Sequence, residues 1–283
     1  MGQNTAGHPV FAATSQTAWR NWSGGQVAFP KSRFSPANEE QLVNFFKTST
    51  GVVRPVGSGH SFTPLVPTDG HLIVLDQLNG LLSQDDEAKT ATFGAGTRLG
   101  DMGLILQGIE QAMFNLPDID RQTLAGATAT ATHGTGINFK CLSGYLKSLT
   151  LVTPSGDVLE LNAEADADIF AAASVSVGAL GVVTRMEMYN TEPYRLKQST
   201  WVDKTQTLLK DFDRLAASNR HFEIFPLTHS DYSIALATQE TDLPINNPAA
   251  SPEDDAAFDF AMRGWMKVPP LRRRPLVNAL AEQ

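Results

Sequence analysis

Residues 52–62 read VVRPVGSGHSF, a β-branched run that passes directly into Gly57-Ser58-Gly59 and then His60. Glycines at the end of a strand admit positive φ and close approach to a ligand, so successive backbone N–H groups can line an anion-binding nest. An imidazole beside such a nest is placed for chemistry. The same residues also read as a tight turn whose histidine bonds a carbonyl, and the stretch alone leaves both readings open.

The pattern around this loop is strand, helix and glycine-rich turn. A short strand is predicted at 26–29, then a helix capped by Ser35 with Pro36 in its first turn, carrying Leu42, Val43, Phe45 and Phe46 on one face and ending near Ser49. Strands follow at 52–56, 72–75 and 89–93, the last closed by Gly94-Ala95-Gly96, with Thr97 capping a helix over 99–111. Residues 115–136, NLPDIDRQTLAGATATATHGTG, hold hardly a bulky side chain beyond Leu124; a polar loop this long inside a domain is more often functional than idle. Two alternating runs flank Pro154-Ser155-Gly156-Asp157, predicting a hairpin over 146–161, and a short helix is expected at 165–174, capped near Asp166. Another glycine-rich turn leads into a strand over 178–189.

A boundary is expected near Thr191-Glu192-Pro193. Beyond it the sequence predicts an extended run at 196–202, a helix at 204–218 packed through Leu208, Leu209, Phe212 and Leu215, and strands at 222–226 and 232–238. A Pro/Asn/Asp-rich linker at 241–255, a helix at 256–266 and a short tail complete the reading; Arg272-Arg273-Arg274 reads as a solvated segment.

Composition excludes several functions. A net charge of -8 argues against a nucleic-acid surface, which needs clustered Lys and Arg. Cys141 is the only cysteine, so no internal disulfide forms and a reducing cytoplasm is compatible. No basic leader precedes an apolar run, and no stretch approaches the roughly 20 apolar residues of a membrane span, so the chain reads as unexported. The dinucleotide fingerprint G-x-G-x-x-G fails at both candidate turns: Phe62 stands where the third glycine belongs after Gly57, and Gly100 comes one position late after Gly94. There is no Walker loop and no G-x-S-x-G elbow; His60, His71 and His133 are isolated, with no second thiol to complete a zinc site. What remains are glycine-rich loops with small neutral side chains, suited to a large anionic cofactor held by backbone N–H groups.

The series Pro55-Val56-Gly57-Ser58-Gly59-His60-Ser61-Phe62, Asp118-Ile119-Asp120-Arg121-Gln122-Thr123-Leu124-Ala125-Gly126, Ala131-Thr132-His133-Gly134-Thr135-Gly136 and Gly178-Ala179-Leu180-Gly181-Val182-Val183-Thr184 resembles the flavoproteins of the vanillyl-alcohol oxidase and para-cresol methylhydroxylase type. Within them it is most similar to the aldonolactone oxidase and alditol oxidase branch. The resemblance implies an α+β fold: a tail at 1–19, a two-subdomain FAD-binding domain at 20–191, and an incomplete α+β substrate (cap) domain at 192–283. It implies oxidation of a CH–OH group of a polyol or sugar lactone, with oxygen as acceptor. By that analogy Val56, Gly57, Ser58, Gly59, Ser61 and Phe62 hold the pyrophosphate of FAD, and His60 carries the flavin covalently. Gly126, Ala127, Thr130, Thr132, Gly134 and Gly136 line the pyrophosphate and ribityl chain, with Pro117 and Asp118 ahead of them, and Gly181, Val182 and Val183 contact the flavin or adenine. His133 either touches the cofactor or fixes its own loop, the latter being favoured. Asp118 and Asp120 read as loop-shaping residues with a salt bridge to Arg121 rather than an acid–base pair. Ala125 and Gly126 stand where some relatives place a second, cysteine tether, so one bond is expected, and Cys141 is expected to be a buried core thiol. The family's C-terminal His-Trp-x-Lys segment has no counterpart: Trp265-Met266-Lys267 lacks the histidine, so no catalytic residue is assigned.

Overall fold

The computed structural model describes residues 17–246 and 269–281; the helix predicted at 256–266, most of the N-terminal tail and the end of the predicted linker lie outside them. The described residues divide into two compact units. One takes the chain through Gly134 together with Lys140–Pro193; the other takes Thr135–Phe139 and the residues from Tyr194 onward.

In the first unit β1 (Trp19–Arg20) and β2 (Val27–Ala28) form a small antiparallel hairpin. Next, β3 (Ser32–Phe34), β4 (Val53–Val56) and β5 (His71–Val74) make a parallel sheet with β5 at its centre. Parallel strands that follow one another in sequence need a crossover, and α1 (Glu39–Thr48) supplies it from β3 to β4 on the two sides of β5. Its cap is Asn38, whose side chain accepts the Gln41 N–H, and not Ser35, whose hydroxyl donates to Asp76. Glu39 and Glu40 in the first turn and Lys47 in the last suit the helix dipole, and Leu42 and Phe45 are buried. His71 is buried too, its ring held between Ser32 Oγ at 2.6 Å and the Thr50 carbonyl at 3.2 Å.

A five-stranded antiparallel sheet follows, from β6 (Leu81–Asp85), β7 (Thr90–Gly94), β8 (Leu146–Val152), β9 (Val158–Asn162) and β10 (Val182–Tyr189), in the order β6-β7-β10-β8-β9. The predicted hairpin is β8 and β9, paired from Val152 with Val158 to Ser148 with Asn162. β6 was not predicted: it is an edge strand in which only Leu81 is partly buried, so it lacks the apolar alternation that reveals strands. β10 alternates cleanly, with Val182, Thr184, Met186 and Met188 turned into the core. Against this sheet pack α2 (Leu99–Gly108), α3 (Leu124–Ala129) and α4 (Ala167–Ser174), burying Met102, Leu106, Leu124 and Phe170 with Phe93 and Met186. The α2 helix stops three residues short of the predicted end, and Thr97 does not cap it; that hydroxyl donates to the Gly94 carbonyl and accepts the Gly80 N–H, locking the turn before the helix. Short as it is, α3 lies inside the stretch read as loop, capped by Thr123 through the Gly126 N–H. It ends in a Schellman arrangement: Thr132 N–H bonds the Ala127 carbonyl and Ala131 N–H that of Thr128, with Ala131 at φ +52° where glycine is usual.

In the second unit β11 (Leu196–Lys204), β12 (His221–Pro226) and β13 (Tyr232–Glu240) form an antiparallel sheet with β13 central. The single helix predicted at 204–218 is broken at Asp211 into α5 (Thr205–Lys210) and α6 (Phe212–Ser218), so Leu209 is exposed and Ala216 joins Leu208 in the core instead. The run expected to be a tail is α7 (Pro270–Ala281), clamped to the turn before β13 by Arg274 and Asn278 on the Asp231 carboxylate. These bonds hold the Asp231 carboxyl below its ordinary range, Asn278 contributing most. Among the described residues no helix is long and apolar enough to cross a membrane.

Candidate cofactor-binding cleft

The glycine-rich loop leaves β4 with its carbonyls already occupied. Trp22 N–H donates to the Gly59 carbonyl at 2.9 Å, Asn21 Nδ2 to that of Ser61 at 3.0 Å, and Gln26 Nε2 to that of Phe62 at 3.0 Å. These three donors come from the β1–β2 hairpin, which clasps the loop from one side. On the other side, no backbone N–H from Ser58 to Ser61 donates to a protein acceptor among the described residues. Gly59 at φ +68° stands between residues of negative φ, the sign alternation that turns successive N–H groups toward one point. The loop thus has the backbone pattern of an anion-binding nest, fixed from behind.

Its floor is α3. Ser58 Oγ donates to the Arg121 carbonyl at 2.5 Å, and Gly57 lies so near Thr123 that an added Cβ would stand 2.1 Å from Thr123 Oγ1. A third wall, Ser176, Val177, Gly178, Gly181 and Val183, is tied to α3 by the Val177 N–H on the Ala129 carbonyl at 3.2 Å. Val177 is held at φ +47°, strain that a β-branched residue tolerates only where the surroundings impose it. Together the three segments enclose a cleft of about 940 Å³, part of it open to solvent, with Leu65, Val66, Leu75 and Trp19 supplying apolar surface.

Ten of the nineteen residues predicted at the site line this cleft: Val56, Gly57, Ser58, Gly59, His60, Ser61, Gly126, Thr130, Gly181 and Val183. The others lie elsewhere. Phe62 is exposed and meets Trp22 edge-on, Ala127 and Val182 are buried in the core, and Pro117 and Asp118 sit on the outer loop. Thr132 accepts from Gln122 Nε2 at 3.1 Å, one layer behind the lining. His133 is exposed and its Nδ1 lies 2.8 Å from the Gly134 carbonyl, the loop-fixing arrangement. Gly134 packs so closely that a Cβ would stand 2.2 Å from the Leu116 carbonyl; Gly136, at φ +97°, belongs to the second unit. Asp120 and Arg121 form an exposed ion pair at 3.3 Å. Cys141 is half-buried, with Sγ 3.1 Å from Ser143 Oγ, and is not the core thiol expected, because the turn after it carries Leu142 inward instead.

The sequence reading missed Trp19, Leu65, Val66, Gln122 and Ser176–Val177. Of these, Gln122 carried a signal as a member of the quoted Asp118–Gly126 motif, and Ser176–Val177 by standing directly before a recognised glycine turn. No carboxylate, lysine or arginine lines the cleft, and His60 is its one ionisable side chain among the described residues. Nor do any three His, Cys, Asp or Glu side chains among the described residues group to hold a metal.

Residues 30–162 match a family model described as an FAD binding domain. The L-gulono-1,4-lactone dehydrogenase of Mycobacterium tuberculosis is 35% identical over 227 residues, which cover 79% of this chain and 52% of that protein. By these matches the chain is similar to the FAD-linked oxidases. A D-arabinono-1,4-lactone oxidase of Candida glabrata is 30% identical over 223 residues, 76% of this chain and 42% of its own length. Among solved structures, cholesterol oxidase from Brevibacterium sterolicum superposes with a TM-score of 0.74 over 88% of this chain and 54% of that one, at 18% identity, which shows a shared fold. The chain spans about half the length of the curated relatives it matches.

The donor set fits FAD. Four consecutive main-chain N–H groups suit a pyrophosphate, and no acidic side chain among the described residues stands on the cleft wall. The apolar lining residues Leu65, Val66, Leu75 and Val183 offer surface for a flat ring system.

Proposed function

We propose that this chain carries the flavin-binding part of an oxidoreductase that oxidises a CH–OH group of a sugar-derived aldonolactone or alditol. Its FAD is tethered through His60, and oxygen is the acceptor, giving hydrogen peroxide. The observation that carries the reading is the open N–H nest with His60 in its rim, in a domain whose relatives are named for oxidation of sugar lactones. Bound FAD supplies the hydride acceptor. The chain's own residues hold and orient it: the N–H groups of residues 58–61 neutralise the pyrophosphate, and the amide of Gln122 and the hydroxyls of Thr130 and Ser176 offer polar contacts along the cleft. Gly126, Ala127, Thr132, Gly134, Pro117, Asp118, Gly181 and Val182 act through backbone or loop shape. The unit beginning at Tyr194 is assigned to substrate, and the single cysteine supports a reducing, cytoplasmic setting.

Two measurements test this reading. Anaerobic addition of L-gulono-1,4-lactone, D-arabinono-1,4-lactone or polyols bleaches the visible flavin band, and readmitted air yields peroxide. After acid precipitation the yellow colour stays with the polypeptide in wild type and is lost in His60→Ala. A second reading is a flavin-binding module without turnover of its own, consistent with a cleft that carries no ionisable side chain besides His60 among the described residues. Flavin that stays oxidised with every lactone and polyol decides for it.

A further inference from the structure

We infer that Trp22 is the positioning residue that orients His60 for its bond to the flavin, an inference resting on the reading that His60 is the attachment point. The His60 ring stacks on the Trp22 indole with centroids 5.3 Å apart and planes 22° from parallel. His71, His133 and His221 each have a ring nitrogen within hydrogen-bond distance of a partner, whereas neither ring nitrogen of His60 has one among the described residues. Stacking is therefore what fixes the plane of this imidazole. It covers a ring face and leaves both nitrogens, which lie at the ring edge, free to react.

Trp22 is held for this task. Its N–H bonds the Gly59 carbonyl at 2.9 Å, and its ring meets Phe62 edge-on at 6.1 Å, so the indole sits between the side chains at the first and third positions of His60-Ser61-Phe62. At 64% exposure the side chain contributes little to the core, and its role lies in these ring contacts.

In the tethering step a His60 ring nitrogen forms a C–N bond to a methyl carbon of the flavin. One methyl C–H and the imidazole N–H are lost, and the two protons and two electrons released pass to the acceptor, dioxygen giving hydrogen peroxide. A ring held near the attacking orientation lowers the entropic part of that barrier.

Full-length chain produced free of flavin is mixed with FAD, and covalent flavin is followed by fluorescence of the polypeptide on denaturing gels, with reversible FAD affinity measured separately. Trp22→Ala is expected to slow tethering about two- to tenfold, the range of an aromatic pair. It keeps its FAD affinity, because the main-chain bond to Gly59 remains, and Trp22→Phe, which keeps a ring, stays near the wild-type rate. Tethering at the wild-type rate in Trp22→Ala, with none in His60→Ala, overturns the inference and leaves the attachment site standing. Equal loss of affinity and tethering in both Trp22 variants shows a structural role and overturns it as well. Covalent flavin in His60→Ala, or none in wild type, removes the attachment reading and this role with it.

Discussion

The contact between Gly57 and Thr123 joins the nest to its floor, and it lends itself to a quantitative test. Gly57 has no positive φ, so alanine is permitted by the backbone and only space decides the outcome. The new methyl would stand 2.1 Å from Thr123 Oγ1, 3.3 Å from its Cβ and 3.4 Å from its Cγ2. No small shift relieves this. Rotating Thr123 abandons the cap bond from the Gly126 N–H, worth about 1 kcal/mol, and the crowding that remains costs about 1–3 kcal/mol. Gly57→Ala should therefore destabilise the fold by about 2–4 kcal/mol, lowering Tm by roughly 5–12 °C. Thr123→Ala alone should cost about 1 kcal/mol. In the double variant the clashing oxygen is gone and the nearest side-chain atom is the Cβ at 3.3 Å, so the loss should be about 1–2 kcal/mol, well below the sum of the single variants. Urea unfolding of the four proteins reads the coupling, which the geometry puts near 2 kcal/mol. Single-variant losses that add to within about 0.5 kcal/mol would falsify the steric account.

The other consequences are simpler to read. Ala131→Gly relieves the left-handed residue that closes α3 and should stabilise by about 1 kcal/mol, a Tm gain of roughly 2–4 °C by calorimetry; no gain would show that the φ of +52° carries no strain. Burial acts to raise the Glu187 carboxyl, yet hydrogen bonds from Lys147, Thr90 and Ser148 outweigh it and hold it below its ordinary value near 4.5. A folded value below the unfolded one means stability present above pH 4.5 and lost as pH falls through the folded value, so Tm measured down to about pH 3 should decline less steeply in Glu187→Gln than in wild type. An equally steep decline would place the acid sensitivity elsewhere.

What was legible in the sequence was local. The hairpin of β8 and β9 showed because alternation and a Pro-Ser-Gly-Asp turn both act within sixteen residues, whereas the His60 loop stood out locally as a glycine-rich turn and was read as a cofactor loop only with the three further motifs beside it. The edge strand β6 stayed hidden because burial writes no pattern on a strand that faces solvent. α3 was hidden by composition: Ala, Gly and Thr lack the bulky periodicity that reveals a helix, and its identity rests on the Thr123 cap. Ser35 lost the cap of α1 to Asn38 because a side chain 41 residues on, Asp76, claims its hydroxyl. Trp22 reaches the loop through its main-chain bond to the Gly59 carbonyl, a contact with a residue 37 positions away that no local pattern announces. Leu65 and Val66 are ordinary apolar residues whose position on the wall only the folded chain reveals.

Because the donors of the nest belong to the main chain, they have no pKa in the biological range and no side chain to delete. An anion held this way should remain bound across a wide span of acidity, and no alanine scan of residues 58–61 would remove the donors themselves. Selection acting on this site can alter the shape of the loop but not its chemistry, which leaves glycine geometry and the hairpin behind it as the features through which affinity can drift.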